Sequence, residues 1–228
     1  MIDVEEIAKE IGERLRALPA IKTEAIRAIR HEFSKRLAKA PPQAVIRLAL
    51  RLLDFSGIEY RIVAYELICH HRAALRGLGE MELQLLGQGI DGWGATDMFA
   101  CYLAGPAWRE KQISDKLIHR WARSLDRWWR RAALASTVPL NNKARGGKGN
   151  AARTLAVCRM LVSDRDDMVV KALSWALREL AKRDPRAVQE FLAEHETVLA
   201  ARVIREVRHK LTTGLKNPCT KHKRRLTD

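Results

Sequence analysis

Three short segments of this 228-residue chain carry residue types that could do chemistry. In IDGWGATDMF, residues 90–99, Trp93 and Asp97 stand four apart, which puts them on one face of a helix. An indole face attracts a cation through its quadrupole, and a carboxylate one turn away adds Coulomb attraction. The pair therefore suits a positively charged ligand. Its plainer reading is a core Trp beside a solvated Asp. In DRWWRRAAL, residues 126–134, Arg130 and Arg131 follow two tryptophans. One Trp is expected inside and one nearer the surface. An Arg beside an aromatic can hold a phosphate through two parallel N–H bonds, or simply form a solvated basic rim. In KALSWALRELAKRDP, residues 171–185, Trp175 and Arg178 share a face, while Leu173, Leu177 and Leu180 take another and read as core.

Metal chemistry finds no support. Cys69, Cys101, Cys158 and Cys219 are far apart, and no pair has zinc-ligand spacing. His70 and His71 are adjacent, so on a helix they diverge by about 100°. The expected chain is cytosolic and reduced, with buried free thiols.

The elements that must position these residues are helices. Apolar residues recur at helical spacing over 42–54, 57–71, 74–87, 90–103, 107–123, 126–138, 150–163, 166–182, 185–195 and 198–213, after two earlier stripes through Ile11 and Phe33. Pro41-Pro42, Gly57, Gly77, Gly79, Gly105-Pro106 and Pro139 punctuate them, and Asp126, Ser163 to Asp166 and Asp184-Pro185 read as helix starts. About twelve helices and no strand are expected. A basic residue followed by Ala or an apolar stretch recurs at Arg61, Arg131, Lys171 and Arg202, which suggests stacked helix pairs. The predicted fold is all-α, a curved solenoid of about six HEAT-like helix pairs over residues 1–213, with a basic tail over 214–228. The loop NNKARGGKGN, residues 141–150, lacks phosphate-loop spacing and reads as a flexible connection.

Charge narrows the partner. The net charge is +15 and the pI about 10.1. Residues 106–228 carry 28 basic against 13 acidic side chains, whereas the first 105 residues are balanced. A polyanion is expected to meet the C-terminal half, with nucleic acid the first candidate and an anionic membrane surface the rival. No apolar run is long enough to span a bilayer.

The ordered set EYRIVAYELI, GWGATD, WWRRAAL and VVKALSWALRELAKRDPRAVQEFL resembles the AlkD-type DNA alkylation repair glycosylases, built of HEAT-like repeats, over about residues 57–213. The family often has WWDxxD where this chain has Gly92 and Gly94. The resemblance implies a DNA N-glycosylase that excises positively charged alkylated purines, 3-methyladenine and 7-methylguanine. It implies Asp97 as the catalytic aspartate that stabilises an oxocarbenium-like sugar and orients water. Trp93 and Trp175 become lesion-site tryptophans, and Arg131 and Arg178 DNA-contacting arginines. No cofactor and no metal are called for. The expected partner is double-stranded DNA carrying alkylated bases, bound by a monomer in the cytoplasm, associated with the nucleoid. The alternative is a non-catalytic HEAT-repeat protein that binds distorted or branched DNA. A scaffold for an acidic protein partner is a third reading.

Overall fold

The computed structural model describes residues 2–216, and every described element is helical. In chain order these are α1 (Val4–Arg16), α2 (Thr23–Arg36), α3 (Pro42–Leu52), α4 (Ile58–His70), α5 (Arg72–Arg76), α6 (Glu80–Leu86) and α7 (Trp93–Phe99). A π-helical segment (Ala100–Ala104) joins α7 to α8 (Gly105–Arg109). There follow α9 (Asp115–Ala122), α10 (Arg127–Ala135), α11 (Val138–Asn141), a 3-10 turn (Lys143–Arg145), α12 (Ala151–Met160), α13 (Asp167–Leu180), α14 (Pro185–Glu194) and α15 (Ala201–Thr213).

The helix starts follow from local chemistry. The side chain of Asp126 accepts from the Trp128 amide, that of Asp166 from the Met168 and Val169 amides, and that of Asp184 from the Ala187 amide. Each satisfies donors that the first helical turn leaves without partners. Pro185 sits at the first helical position, where its missing N–H costs nothing.

Two layers result. Helices α2, α4, α7, α10, α13 and α15 pack one on the next and form a continuous sheet of helices. Helices α1, α3, α5 and α6, then α9 and α12, back them from the other side. This is the α-solenoid the sequence predicts. Its core is a run of aliphatic side chains from Ile7 to Val207, with Trp108, Tyr65, Phe33, Phe99 and Phe191 as its largest members.

Three local expectations change. The segment 74–87 is two helices, parted at Gly77 to Gly79, and 107–123 is two helices, parted at 110–114. Gly105-Pro106, read as a break, lies inside a continuous helical rod. Pro106 has no N–H, and its ring would strike the carbonyl of residue 102 in an α-helix. The chain answers with a wider turn in which the Gly105 amide donates to the Ala100 carbonyl, five residues back. Only Gly fits there, since a Cβ would stand 2.7 Å from both the Pro139 ring and the Ser136 carbonyl.

The third change concerns residues 141–150, which are packed rather than flexible. The buried Asn141 side chain donates to Thr154 and to the Thr137 carbonyl, and accepts from the Asn150 amide. Arg183 donates to the carbonyls of Asn141 and Gly147. Gly149 adopts φ +100°, a conformation favouring glycine, and a Cβ at Gly147 would press 2.6 Å from the Pro139 carbonyl. The glycines serve backbone geometry and close packing. Cys101 and Cys158 are buried free thiols and Cys69 is half-buried, as expected. Cys219 and most of the basic tail lie outside the described residues.

Candidate functional site

The residues singled out by the sequence converge on one open cavity of about 470 Å³. Trp93 and Asp97 reach it from α7, Arg131 from α10, Trp175 and Arg178 from α13. Thus residues from three helices as far apart in sequence as 93 and 178 line one space.

Trp93 is the first residue of α7 and is 62% exposed, so it is no part of the core. It stands between Gly92 and Gly94, and an added Cβ at either glycine would find nothing within 4 Å. The wall around Trp93 is therefore open. Trp175 is half-buried in the opposite wall. By contrast Trp108 and Trp121 are buried in the core. Trp128 and Trp129 are both half-buried, not one in and one out. Trp129 packs on Trp121 and Phe99, at centroid distances of 4.9 and 5.9 Å, and so braces the helix that carries Asp97.

Asp97 is gripped by one arginine. Arg131 donates from Nε to Oδ1 at 2.8 Å and from Nη2 to Oδ2 at 2.7 Å, the parallel two-bond pairing of a guanidinium with a carboxylate. A third bond runs from Arg131 Nη1 to the Met168 carbonyl at 2.6 Å and ties α10 to the start of α13. Burial pushes the Asp97 carboxyl up, and Arg131 pulls it back down only in part, so it sits above the ordinary carboxylate value.

This geometry gives Arg131 an internal partner as well as a place in the cavity wall. The residue is 6% exposed, and three of its N–H groups are committed inside the protein. Two of its five N–H groups remain, one on each Nη. Arg178 is half-buried, donates to Ser174 Oγ at 3.2 Å, and lies 3.7 Å from Glu206. Burial holds its guanidinium below the ordinary value despite Glu206 and Glu179. Its side chain lines the cavity.

Sequence reasoning left four cavity cations unassigned to the site: Lys171, Arg202, Arg205 and Lys216. Lys171 had a signal, standing one helical turn before Trp175. Lys171 and Arg202 share Asp167 as a partner, at 2.6 and 2.7 Å. The cavity thus collects six cationic side chains against two carboxylates, Asp97 and Glu206. Such a rim attracts a polyanion, while its centre offers a cation two indoles and a carboxylate. Among the described residues no helix is long and apolar enough to cross a membrane.

Comparison with known proteins gives the family and the fold. The profile of a family described as DNA alkylation repair enzyme matches residues 5–211. A solved structure described as a predicted DNA alkylation repair enzyme from Enterococcus faecalis superposes with a TM-score of 0.68. It is 16% identical, and the match covers 92% of this chain and 95% of that one, so it establishes likeness of fold. No curated protein matches the sequence. With a family match over nearly all its length, the chain belongs to the DNA alkylation repair enzyme family.

Proposed function

We propose that this protein is a DNA N-glycosylase that excises cationic alkylated purines such as 3-methyladenine and 7-methylguanine from double-stranded DNA, acting as a cytoplasmic monomer. The observation that carries this reading is the joint presence of Trp93, Trp175 and an arginine-clamped Asp97 in one open basic cavity.

The chemistry follows from charge. An alkylated purine already bears a positive charge, so its glycosidic bond breaks without protonation of the leaving group. What remains is to stabilise the positive charge that develops on the sugar and to deliver water. A carboxylate 4 Å from a unit charge is worth about 4 kcal/mol at an effective dielectric of 20. Arg131, lying behind Asp97, offsets part of that. The net agrees with the roughly 2.7–4 kcal/mol lost when one preorganised electrostatic group is removed from other enzymes.

Arg131 makes that carboxylate usable. Burial alone favours the protonated acid, which would bring no negative charge to a cation and would be a poor base toward water. The two-bond clamp favours the ionised form and fixes its plane. Each oxygen keeps a further lone pair for a water or the sugar. We assign Arg131 as a positioning residue and Asp97 as the catalytic one. Trp93 and Trp175 offer ring faces to the cationic nucleotide, and Arg178, Lys171, Arg202 and Arg205 meet the backbone phosphates. The empty space beside Gly92 and Gly94 supports capture of the lesion from an open face rather than in a closed pocket.

Release of free base from methylated duplex DNA tests the proposal. Accumulation of 3-methyladenine or 7-methylguanine supports it. Tight, salt-dependent binding of the same DNA with no release would leave a non-catalytic DNA-binding protein.

A further inference from the structure

A second cavity, of about 560 Å³, is lined by residues of α2, α4, the π segment, α8 and the 3-10 turn. Its chemistry is organised by one acid. Glu66 is 2% exposed and accepts from Arg27 Nε at 2.8 Å and from Arg30 Nε at 3.0 Å. One carboxylate therefore holds two guanidiniums, and the trio keeps an excess positive charge. Both arginines are tied at Nε to Glu66, Arg27 also faces the Tyr102 hydroxyl, and Arg30 has no other hydrogen bond among the described residues. Their paired Nη groups, the fork that matches a phosphate, are left available. The Arg30 side chain is only 11% exposed, so little bulk water reaches its donors.

A third guanidinium joins them. Arg145 lies 5.0 Å over the Tyr102 ring, and its side chain makes no hydrogen bond among the described residues. Its backbone is pinned, because Arg109 donates to the Arg145 and Pro139 carbonyls. Three guanidiniums with open donors thus surround one cavity whose only carboxylate, Glu66, has both oxygens engaged. Internal pairing alone would be met by one arginine per acid. The surplus calls for an external anion that accepts several N–H bonds, which is the chemistry of phosphate.

The position of the cavity says which phosphate. Cys101 and Tyr102 line it, four and five residues beyond Asp97, which lines the first cavity. At 1.5 Å per residue that is roughly 6–8 Å along the helix axis. The two cavities are neighbours along one helical rod, close enough for one DNA strand to reach both.

We propose that the second cavity is a phosphate subsite that grips the DNA backbone within a few nucleotides of the lesion, with Arg27, Arg30 and Arg145 as its donors. This gives the N-terminal half a share of the DNA surface, although charge balance pointed only to the C-terminal half. The assignment rests on DNA as the partner and not on base excision.

Two variants test it. Arg145→Ala removes an exposed side chain with no hydrogen bond. Arg30→Met combined with Glu66→Gln removes a donor without stranding a buried acid. Binding of unmodified duplex is measured across salt concentrations, and a neutral methylphosphonate is walked along the strand of a second duplex that carries one 7-methylguanine at a fixed position. Each variant is expected to bind more weakly and to lose about 0.9 from the log–log salt slope per contact. The wild-type protein should be sensitive to a methylphosphonate at one position within a few nucleotides of the lesion, and Arg145→Ala indifferent there. Inorganic phosphate is titrated in parallel. Variants that lose phosphate binding but keep the wild-type slope and scan would assign the cavity to a free anion and overturn the DNA subsite. Wild-type slopes and phosphate binding in both would overturn the site altogether, as would a wild-type protein that binds no duplex. Absence of base release would sink only the glycosylase reading, because slope and scan use binding alone.

Discussion

Arg131→Met should separate a positioning arginine from a phosphate-binding one. The change keeps a long apolar stem but deletes two bonds to Asp97 and one to the Met168 carbonyl. Removing one partner of a buried ion pair costs about 3–5 kcal/mol. Asp97 is 19% exposed by side chain and already inclined to hold a proton, so the lower end, about 3 kcal/mol, applies near neutral pH. For a chain of this size that corresponds to a melting point lower by roughly 6–12 °C. The sign of the pH dependence follows from the carboxyl. Without Arg131 its folded pKa rises further above the unfolded value, so the folded state binds the proton more tightly. The stability contribution of that proton is complete below the ordinary carboxylate value and is lost as pH rises through the folded one. The deficit of the variant should therefore shrink in acid and grow toward neutrality. Thermal melts from pH 4 to 8 read the first effect. The acid limb of single-turnover base release, which should move to higher pH, reads the second. The DNA-binding salt slope should stay at its wild-type value. A slope reduced by about one unit, with an unmoved acid limb, would refute the clamp and return Arg131 to the phosphates.

Other perturbations follow from the same geometry. Arg178→Ala should weaken DNA binding whatever the sequence and lower the salt slope by about 0.9, read by titration across salt. Trp93→Ala removes a side chain that is 62% exposed, so stability should change by less than about 0.5 kcal/mol in a denaturant melt. Its base release should nonetheless fall, and fall more for cationic than for neutral lesions. Gly105→Ala forces a Cβ to within 2.7 Å of Pro139 and the Ser136 carbonyl, with an expected loss of about 1–3 kcal/mol in the same melt. An unchanged melt would mean that the π segment adapts freely.

Much of the site was legible because its signals are local. Trp93 with Asp97, and Trp175 with Arg178, declare a shared face by helical spacing alone, and both pairs line the cavity. Leu173, Leu177 and Leu180 declare the opposite, buried face of α13. Arg131 was legible as a position, but its pairing with Asp97 was not, since that partner lies 34 residues away and its burial is decided by the packing of α7, α10 and α13. Glu66 was hidden for a related reason. It sits in α4, which is buried on nearly all sides, so periodicity marks no polar face from which an acid could be singled out. The loop at 141–150 misled because composition reports that glycine permits mobility. It does not report that Arg183 and Asn141 fasten the segment, nor that Gly146 and Gly147 fit it against Arg109 and Pro139 while Gly149 fits it against Arg183. Gly105-Pro106 misled in the same way, because a break in α-helical chemistry can be absorbed by one wider turn.

The central claim is that the Asp97 carboxylate carries the reaction, and Asp97→Asn tests it most directly. Asn keeps the size and one acceptor for Arg131 but removes the charge, so the protein should fold, with some loss of melting temperature, and still bind duplex DNA. The measurement is single-turnover release of 7-methylguanine at saturating enzyme, below the melting point of the variant. Release slower than wild type by roughly two to three orders of magnitude is predicted, the loss of one preorganised electrostatic group. Release at close to the wild-type rate would contradict the account and remove Asp97 from the mechanism.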